Sequence, residues 1–103
     1  MWTIERNLYD QNENAVYETL FTLANGYVSF RGVEEFSNRK IPGTYLAGVF
    51  DKSDAQVTEL VNLPDPLSIR IYIDNEPLLL ELVEVLDYDR KLNMKDGIVE
   101  STY

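Results

Sequence analysis

Two adjacent acids, Glu34 and Glu35, have side chains of the type that glycoside chemistry uses. Cleavage of a glycosidic bond needs two carboxyl groups that flank that bond. If this segment is a strand, neighbouring residues point to opposite faces, and the two carboxylates do not converge. We therefore predict a structural role, in which one acid pairs with a nearby base and the other is solvated.

Two glycine-containing pairs, Asn25-Gly26 and Arg31-Gly32, could form a phosphate-binding turn, because backbone N–H groups and a guanidinium suit oxyanions. Such cradles usually hold the anion at a helix N-terminus, whereas a strand pattern follows here. The pattern favours a plainer interpretation. Asn25 and Gly26 supply the positive φ of a turn, and Arg31 pairs with a neighbouring acid.

Asp87 and Asp89 have the spacing that opens a calcium loop, but Lys91 occupies the next ligand position and the Gly and closing Glu are missing. The chain has no Cys and no His, so imidazole bases, thiol nucleophiles and zinc sites of the usual ligands are excluded. We expect no catalytic, cofactor-binding or metal-binding residue, and no cofactor.

Aromatic residues make up 12% of the chain, enough to consider a platform on which sugars stack. Core or sheet-face packing is the favoured role of those within strand patterns, namely Tyr27, Phe30, Tyr45, Phe50 and Tyr72. Trp2 and Tyr9 lie outside these patterns and are predicted to be free for interfaces.

Strand patterns dominate the chain and must position these residues. Alternation predicts one hairpin from Ser68–Ile73 to 78–82, with Ile69, Ile71 and Ile73 on one face. A second hairpin, from 85–94 to 98–103, turns at an Asp-Gly pair.

Three further segments, 26–31, 44–50 and 57–63, are rich in aromatic and β-branched residues and are also predicted as strands. The segment 9–14 is polar and turn-like. The spacing of apolar residues over 79–86 fits either a helix or a strand, and the neighbouring hairpin signals favour the strand. The predicted fold class is mainly β, an antiparallel β-sandwich with little helix.

Length and charge limit the partners. The 103 residues have room for one domain, and the net charge of −9 disfavours nucleic acids and anionic membranes. The start lacks the features of a signal peptide, and the longest apolar run, 78–80, is far too short to span a bilayer. We expect a cytoplasmic protein with no membrane partner.

Four blocks of sequence carry a resemblance to a known family. They are Glu18–Glu35, which combines strand-like alternation with two glycines where the backbone must turn or be closely approached, and 42–51, 59–67 and 88–97. In this order, the blocks resemble the start of glycoside hydrolase family 65, the maltose, trehalose and kojibiose phosphorylases and their hydrolase relatives.

The resemblance implies an architecture. It implies an N-terminal β-sandwich, part of a super-sandwich like that of galactose mutarotase, joined to an (α/α)6 barrel that carries the general acid and phosphate-binding residues. No barrel motif occurs here, so residues 1–103 are expected to be a single-domain first part of that sandwich, non-catalytic by itself. The implied parent reaction is phosphorolysis of an α-glucoside, with carbohydrate bound only through the full-length parent. An independent carbohydrate-binding module is the alternative.

A sandwich that is cut partway leaves unpaired strand edges and an uncovered apolar face. Self-association is the simplest way to cover them. We therefore expect a homo-oligomer, specifically a dimer that uses strand edges or exchanged strands.

Overall fold

Ten short strands and one short helix make up the chain in the computed structural model, which describes all of residues 1–103. The strands are β1 Thr3–Arg6, β2 Leu23–Ala24, β3 Val28–Phe30, β4 Thr44–Leu46, β5 Phe50–Lys52, β6 Thr58–Leu60, β7 Tyr72–Ile73, β8 Glu76–Pro77, β9 Asp89–Asn93 and β10 Ile98–Thr102. A 3-10 turn at Gln11–Glu13 leads into the helix α1, Asn14–Leu20. All strand pairs are antiparallel, so the predicted fold class is confirmed.

The longest strands form a three-stranded sheet in the order β1-β9-β10. The β9–β10 hairpin turns where it was predicted, and Gly97 takes the positive φ (+66°) that the Asp-Gly pair indicated. Along β9, the buried Arg90 and Leu92 alternate with half-buried neighbours. One face of this sheet therefore covers the core, and Arg90 points into it.

A second sheet has the order β2-β3-β4 and confirms the predicted strand at 26–31 in shorter form. The turn before β3 is built as predicted, because Gly26 has φ +87° and the Asn25 side chain accepts hydrogen bonds from the N–H groups of Tyr27 and Val28. The backbone at Gly32, just after β3, passes close to Phe21, whose exposure is 0%.

Two small hairpins complete the strands. β5 pairs with β6, and β7 pairs with β8 through a turn in which Asp74 and Asn75 both have positive φ (+50° and +67°). The predicted hairpin after Ser68 is confirmed in its turn, but the return strand lies at 76–77 and not at 78–82, and the ladder is only two residues long on each side. The predicted strand over 44–50 is interrupted at Gly48, where φ is +83°.

The segment 9–14, predicted as turn-like, contains the 3-10 turn, but the strand-like alternation assigned to Glu18–Glu35 is wrong at its start, because α1 includes Glu18. Asp10 begins the helical region by accepting a hydrogen bond from the N–H of Asn12 at 2.9 Å. A helix of seven residues is too short to be stable alone, so tertiary contacts of its buried Asn14 and Glu18 must hold it.

The segment 79–86 is neither the favoured strand nor a helix, but a series of turns and bends. Leu79 and Leu80 are buried, whereas Leu82 and Leu86 are exposed. The local sequence fits either a helix or a strand here. Only the first two leucines are buried, and the backbone follows an irregular course.

The core is small. Its hydrophobic members are Phe21, Val33, Leu79, Leu80, Tyr88 and Leu92. Seven polar or charged residues are buried beside these six, so hydrophobic packing alone does not account for the interior. Hydrogen bonds and ion pairs must hold much of it together.

Replacement of Gly32 by alanine is expected to lower the free energy of unfolding by about 3 kcal/mol, because overpacking of a rigid site costs this much. The new Cβ would lie 2.4 Å from both the Cβ and the carbonyl oxygen of Phe21. Urea unfolding followed by circular dichroism measures the change. Gly26→Ala is the control, because its Cβ would meet open space and only the positive φ would cost about 1 kcal/mol. Equal losses in the two variants would contradict the steric explanation.

Candidate functional site

A group of charges and tyrosines, most of them buried, joins the first sheet to the segment that follows β3. We call it the charge cluster, and its members are Arg6, Glu34, Glu35, Tyr88, Arg90 and Tyr103. It contains most of the ionisable groups that the core holds, and it is therefore the first candidate for chemistry.

Strand pairing places two arginines side by side in this cluster. Arg6 ends β1 and is the cross-strand partner of Arg90 on β9, and both residues are 2% exposed. Like charges directly opposite each other destabilise a sheet unless acids neutralise them. Glu34 provides this neutralisation, because its Oε2 lies 3.5 Å from Nη1 of Arg6 and 3.9 Å from Nη1 of Arg90.

Arg90 is the most connected member of the cluster. Its Nη1 donates to the carbonyl of Gly32 at 2.9 Å, and its Nη2 donates to the carbonyl of Val33 at 2.7 Å. Its Nε donates to Ser101 Oγ on β10 at 3.1 Å, and Nη2 also lies 3.4 Å from Glu35 Oε1. One side chain thus joins two strands to the backbone after β3.

The two acids converge, which corrects the expectation that they point apart. The Tyr103 hydroxyl lies 2.8 Å from Glu35 Oε2 and also forms a hydrogen bond with Glu34, while Tyr88 donates to Glu34 Oε2 at 2.6 Å. Strand alternation does not apply, because the chain leaves β3 before Glu34 and turns at Glu35. Both acids pair with bases, and Glu35 remains partly solvated, since 41% of its side chain is exposed.

Arg6 is held as much by aromatic rings as by hydrogen bonds. Its Nη2 donates to the Asp10 carbonyl at 2.6 Å and to Asn14 Oδ1 at 3.0 Å, whereas Nε and Nη1 have no hydrogen-bond partner. The guanidinium carbon lies 4.6 Å from the ring centroid of Tyr17 and 5.5 Å from that of Tyr88. Cation–π attraction therefore compensates part of the unmet hydrogen bonding.

The cluster shifts the pKa values of its members in opposite directions. Burial alone would raise the pKa of Glu35, but the Arg90 charge and the hydrogen bond from Tyr103 outweigh burial and hold this pKa below its usual range. Burial and the nearby Glu34 carboxylate raise the pKa of both Tyr88 and Tyr103 well above the usual value. The Glu35 carboxylate is thus kept charged and the two phenols neutral, which is the pairing that the hydrogen bonds require.

A second polar network lies beside the cluster. Ser37 donates to Glu81, and the Tyr9 hydroxyl donates to the same carboxylate at 3.2 Å. Burial would raise the pKa of Glu81, but its hydrogen bonds, first that of Ser37, lower it. Tyr9 is therefore engaged inside the chain, and the prediction that it is free for interfaces is wrong.

The phosphate-turn hypothesis fails on position. Asn25-Gly26 and Arg31-Gly32 flank opposite ends of β3. The Arg31 nitrogens donate to the Ile41 carbonyl at 2.9 Å and to Thr19 Oγ1 at 3.0 Å, and they pair with Glu18 at 3.3 Å. The plainer interpretation, a turn and an ion pair, is confirmed for both pairs.

Several aromatic residues that were predicted to pack are exposed. Tyr27, Phe50 and Tyr72 expose 79%, 57% and 58% of their surface. They lie beside β3 and on β5 and β7, which belong to three different sheets, so they do not line one strand face. Trp2 is 64% exposed, as its place outside the strand patterns indicated.

The remaining candidates hold no ligand set. Asp89 pairs with Lys91 at 2.8 Å, and no group of three or more acidic, His or Cys side chains is placed to hold a metal ion. The chain contains no helix of the length and apolar character that a membrane span requires.

The charge cluster does not have the geometry of a glycosidase. The two acids of such an enzyme stand on either side of a sugar, with room for that sugar between them. Glu34 is 1% exposed, and the Tyr103 hydroxyl fills the space between it and Glu35. The arrangement closes on itself, because each acid is paired with an arginine and bonded to Tyr103.

Sequence reasoning missed the basic and phenolic members of this cluster, although one signal was present. Tyr88, Arg90 and Leu92 alternate with Asp89 and Lys91, which places Arg90 at a position that faces the core. A buried arginine needs acids, and the adjacent pair after β3 could have been assigned to it.

Comparison with known proteins agrees with this fold. The family model described as "Glycosyl hydrolase family 65, N-terminal domain" matches residues 4–103. A kojibiose phosphorylase of Thermoanaerobacter brockii is 46% identical over 99 residues, which cover 95% of this chain and 13% of that protein. An alpha,alpha-trehalose phosphorylase of the same organism is 34% identical over 115 residues, which cover 96% of this chain and 15% of that protein.

The fold itself recurs in a solved structure named "Putative kojibiose phosphorylase from human microbiome". That structure superposes with a TM-score of 0.90 at 24% identity, covering 98% of this chain and 15% of the other. The chain belongs to glycosyl hydrolase family 65 and corresponds to its N-terminal domain. It spans about 13% of the length of the kojibiose phosphorylase that it matches.

The raised tyrosine pKa values predict a loss of stability in alkali. The contribution of these two tyrosines to the free energy of unfolding is complete below the ordinary pKa of 10.0. It falls as pH rises above that value, because the unfolded chain then loses protons that the folded chain keeps. Urea titrations on both sides of pH 10 measure this slope. Tyr103→Phe should make the slope shallower, whereas Tyr27→Phe, at an exposed position, should leave it unchanged. A slope that Tyr103→Phe does not alter would contradict the assignment.

Proposed function

We propose that this chain is a non-catalytic N-terminal segment of a disaccharide phosphorylase, and that it acts by supporting the rest of that enzyme. The observation that carries this proposal is the closed charge cluster. Its two acids are the only adjacent carboxylates in the chain, the side-chain type that a glycosidase uses, and both are engaged in contacts with Arg6, Arg90 and Tyr103.

The parent reaction that we propose is phosphorolysis of an α-glucoside. Among the relatives, identity is higher to a kojibiose phosphorylase than to an alpha,alpha-trehalose phosphorylase of the same organism, 46% against 34%. This difference favours kojibiose as the disaccharide. The general acid and the phosphate site would lie in the remaining part of a protein such as those relatives, of which this chain spans 13% to 15%.

The supporting role follows from how the charge cluster is built. Arg90 fixes two backbone carbonyls after β3, and Glu34 removes the repulsion between the two arginines. A segment held in this way is rigid and can present a fixed surface to a neighbouring domain. A cytoplasmic location stays a prediction.

A chimera tests the proposal. In the Thermoanaerobacter brockii kojibiose phosphorylase, the 99 matched residues are replaced by this chain. We expect the chimera to release glucose 1-phosphate from kojibiose and phosphate, and the isolated chain to release none. Activity of the isolated chain would contradict a non-catalytic role.

Two matched controls distinguish a segment that supports the enzyme from one that the enzyme merely tolerates. Arg90→Met in the chimera should lower the yield of soluble, active enzyme, whereas Lys91→Met, at a neighbouring residue whose side chain is 44% exposed, should leave it unchanged. A relative from which the matched segment is deleted should lose activity. Full activity of that deletion variant would overturn the supporting role.

A further inference from the structure

The turn between β2 and β3 contains the only asparagine of the chain that glycine follows, Asn25-Gly26, and both residues are exposed. Asparagine is a chemically labile residue. The backbone nitrogen of the next residue can attack its side-chain amide carbon, and glycine has no Cβ to obstruct the approach. A Cβ built on Gly26 would meet nothing within 4 Å, so the turn is open to water.

The nucleophile and the leaving group of this reaction are both unrestrained. The backbone nitrogen of Gly26, which would attack, donates to no acceptor in the chain. The amide nitrogen Nδ2 of Asn25, which would leave as ammonia, also makes no hydrogen bond, because only the oxygen of that side chain is engaged. No hydrogen bond has to break before the attack begins.

The side-chain carbonyl of Asn25 is held in place and polarised. Its Oδ1 accepts from the N–H groups of Tyr27 and Val28, each at 3.0 Å. Negative charge develops on this oxygen when a nitrogen attacks Cγ. Two backbone donors at this distance stabilise such a charge, as an oxyanion hole does in acyl transfer. The fold of the turn therefore favours the step.

Asn93 provides a comparison within the same chain. Its Oδ1 also accepts from two backbone N–H groups, those of Lys95 at 3.1 Å and Asp96 at 3.2 Å. The N–H of Met94, which would attack, instead donates to the Trp2 carbonyl at 2.7 Å. The Nδ2 of Asn93 is bound as well, by Asp96 Oδ2 at 2.7 Å. The two asparagines thus share their oxygen contacts and differ in nucleophile and leaving group.

The Asp96-Gly97 pair, whose sequence allows the same cyclisation, is restrained in the same way. The N–H of Gly97 donates to the carbonyl of Asn93 at 2.8 Å, and the Asp96 carboxylate accepts from the Asn93 side chain. Of the two turns that have glycine after Asn or Asp, only the one at Gly26 has a free attacking nitrogen.

We propose that Asn25 is a site of spontaneous deamidation in the folded protein. The nitrogen of Gly26 gives its proton to hydroxide and bonds to Cγ of Asn25, and the Cγ–Nδ2 bond breaks and releases ammonia. Water then opens the cyclic imide. Hydrolysis at Cγ leaves aspartate at position 25, whereas hydrolysis at the main-chain carbonyl carbon leaves isoaspartate.

The two products differ in their effect on the hairpin. Aspartate keeps an oxygen that can accept from the N–H groups of Tyr27 and Val28. Isoaspartate routes the main chain through Cβ and Cγ, which lengthens the turn by a methylene group. The β2–β3 ladder has only two residue pairs, so the longer turn should weaken it. The reaction does not depend on the proposed function, since only this turn and water take part.

Incubation of the chain at mildly alkaline pH, followed by anion exchange and peptide mapping by mass spectrometry, tests the proposal. We expect a more acidic form, because each event adds one negative charge to a net charge of −9. The change should map to position 25 and form at least about tenfold faster than at Asn93, where two hydrogen bonds must first break. Asn25→Gln should lose this acidic form, because its attack requires a larger ring.

Met94→Gly distinguishes the effect of structure from that of sequence. It gives Asn93 a following glycine but leaves the hydrogen bonds in place, and the 44% exposure of Met94 means that the variant should fold, as circular dichroism can verify. In the folded variant Asn93 should still react at least about tenfold more slowly than Asn25. In urea the two rates should become similar.

Four results would overturn the proposal. They are no product at Asn25, product at Asn25 in urea only, equal rates at Asn25 and Asn93 in the folded Met94→Gly variant, and a difference between them that persists in urea. Each of these results leaves the chimera experiment unaffected.

Discussion

The structure depends on one electrostatic constraint, the pairing of Arg6 with Arg90 across adjacent strands of the first sheet. Two buried guanidinium groups in this position would repel each other, so the sheet is stable only if carboxylates reach them. Glu34 lies beside both, and Glu35 lies beside Arg90. The chain after β3 must therefore run across the sheet at a fixed place.

This constraint explains why so small a hydrophobic core is sufficient. Arg90 also binds the carbonyls of Gly32 and Val33, and Gly32 lets the backbone approach Phe21 closely enough for these bonds to form. The residues that look like a catalytic pair are thus part of the fold.

Much of the fold could be predicted from sequence because its signals are local. The two hairpins and the turn at Gly26 follow from alternation and from residues that accept positive φ. The helix α1 and the course of 79–86 could not be predicted, since tertiary burial of Asn14, Glu18 and two leucines decides them. The charge cluster joins residues more than fifty positions apart, and only the core-facing position of Arg90 hinted at it.

The central claim is that Arg90 holds the sheet and the segment after β3 together, and one comparison of unfolding free energies tests it most directly. Urea unfolding of Arg90→Met should show a loss of about 3–5 kcal/mol, because a buried carboxylate and two carbonyls lose their partner. Lys91→Met, on the next residue of the same strand, should show little change, because its ion pair with Asp89 is exposed. A loss in Arg90→Met no larger than that in Lys91→Met would contradict the account.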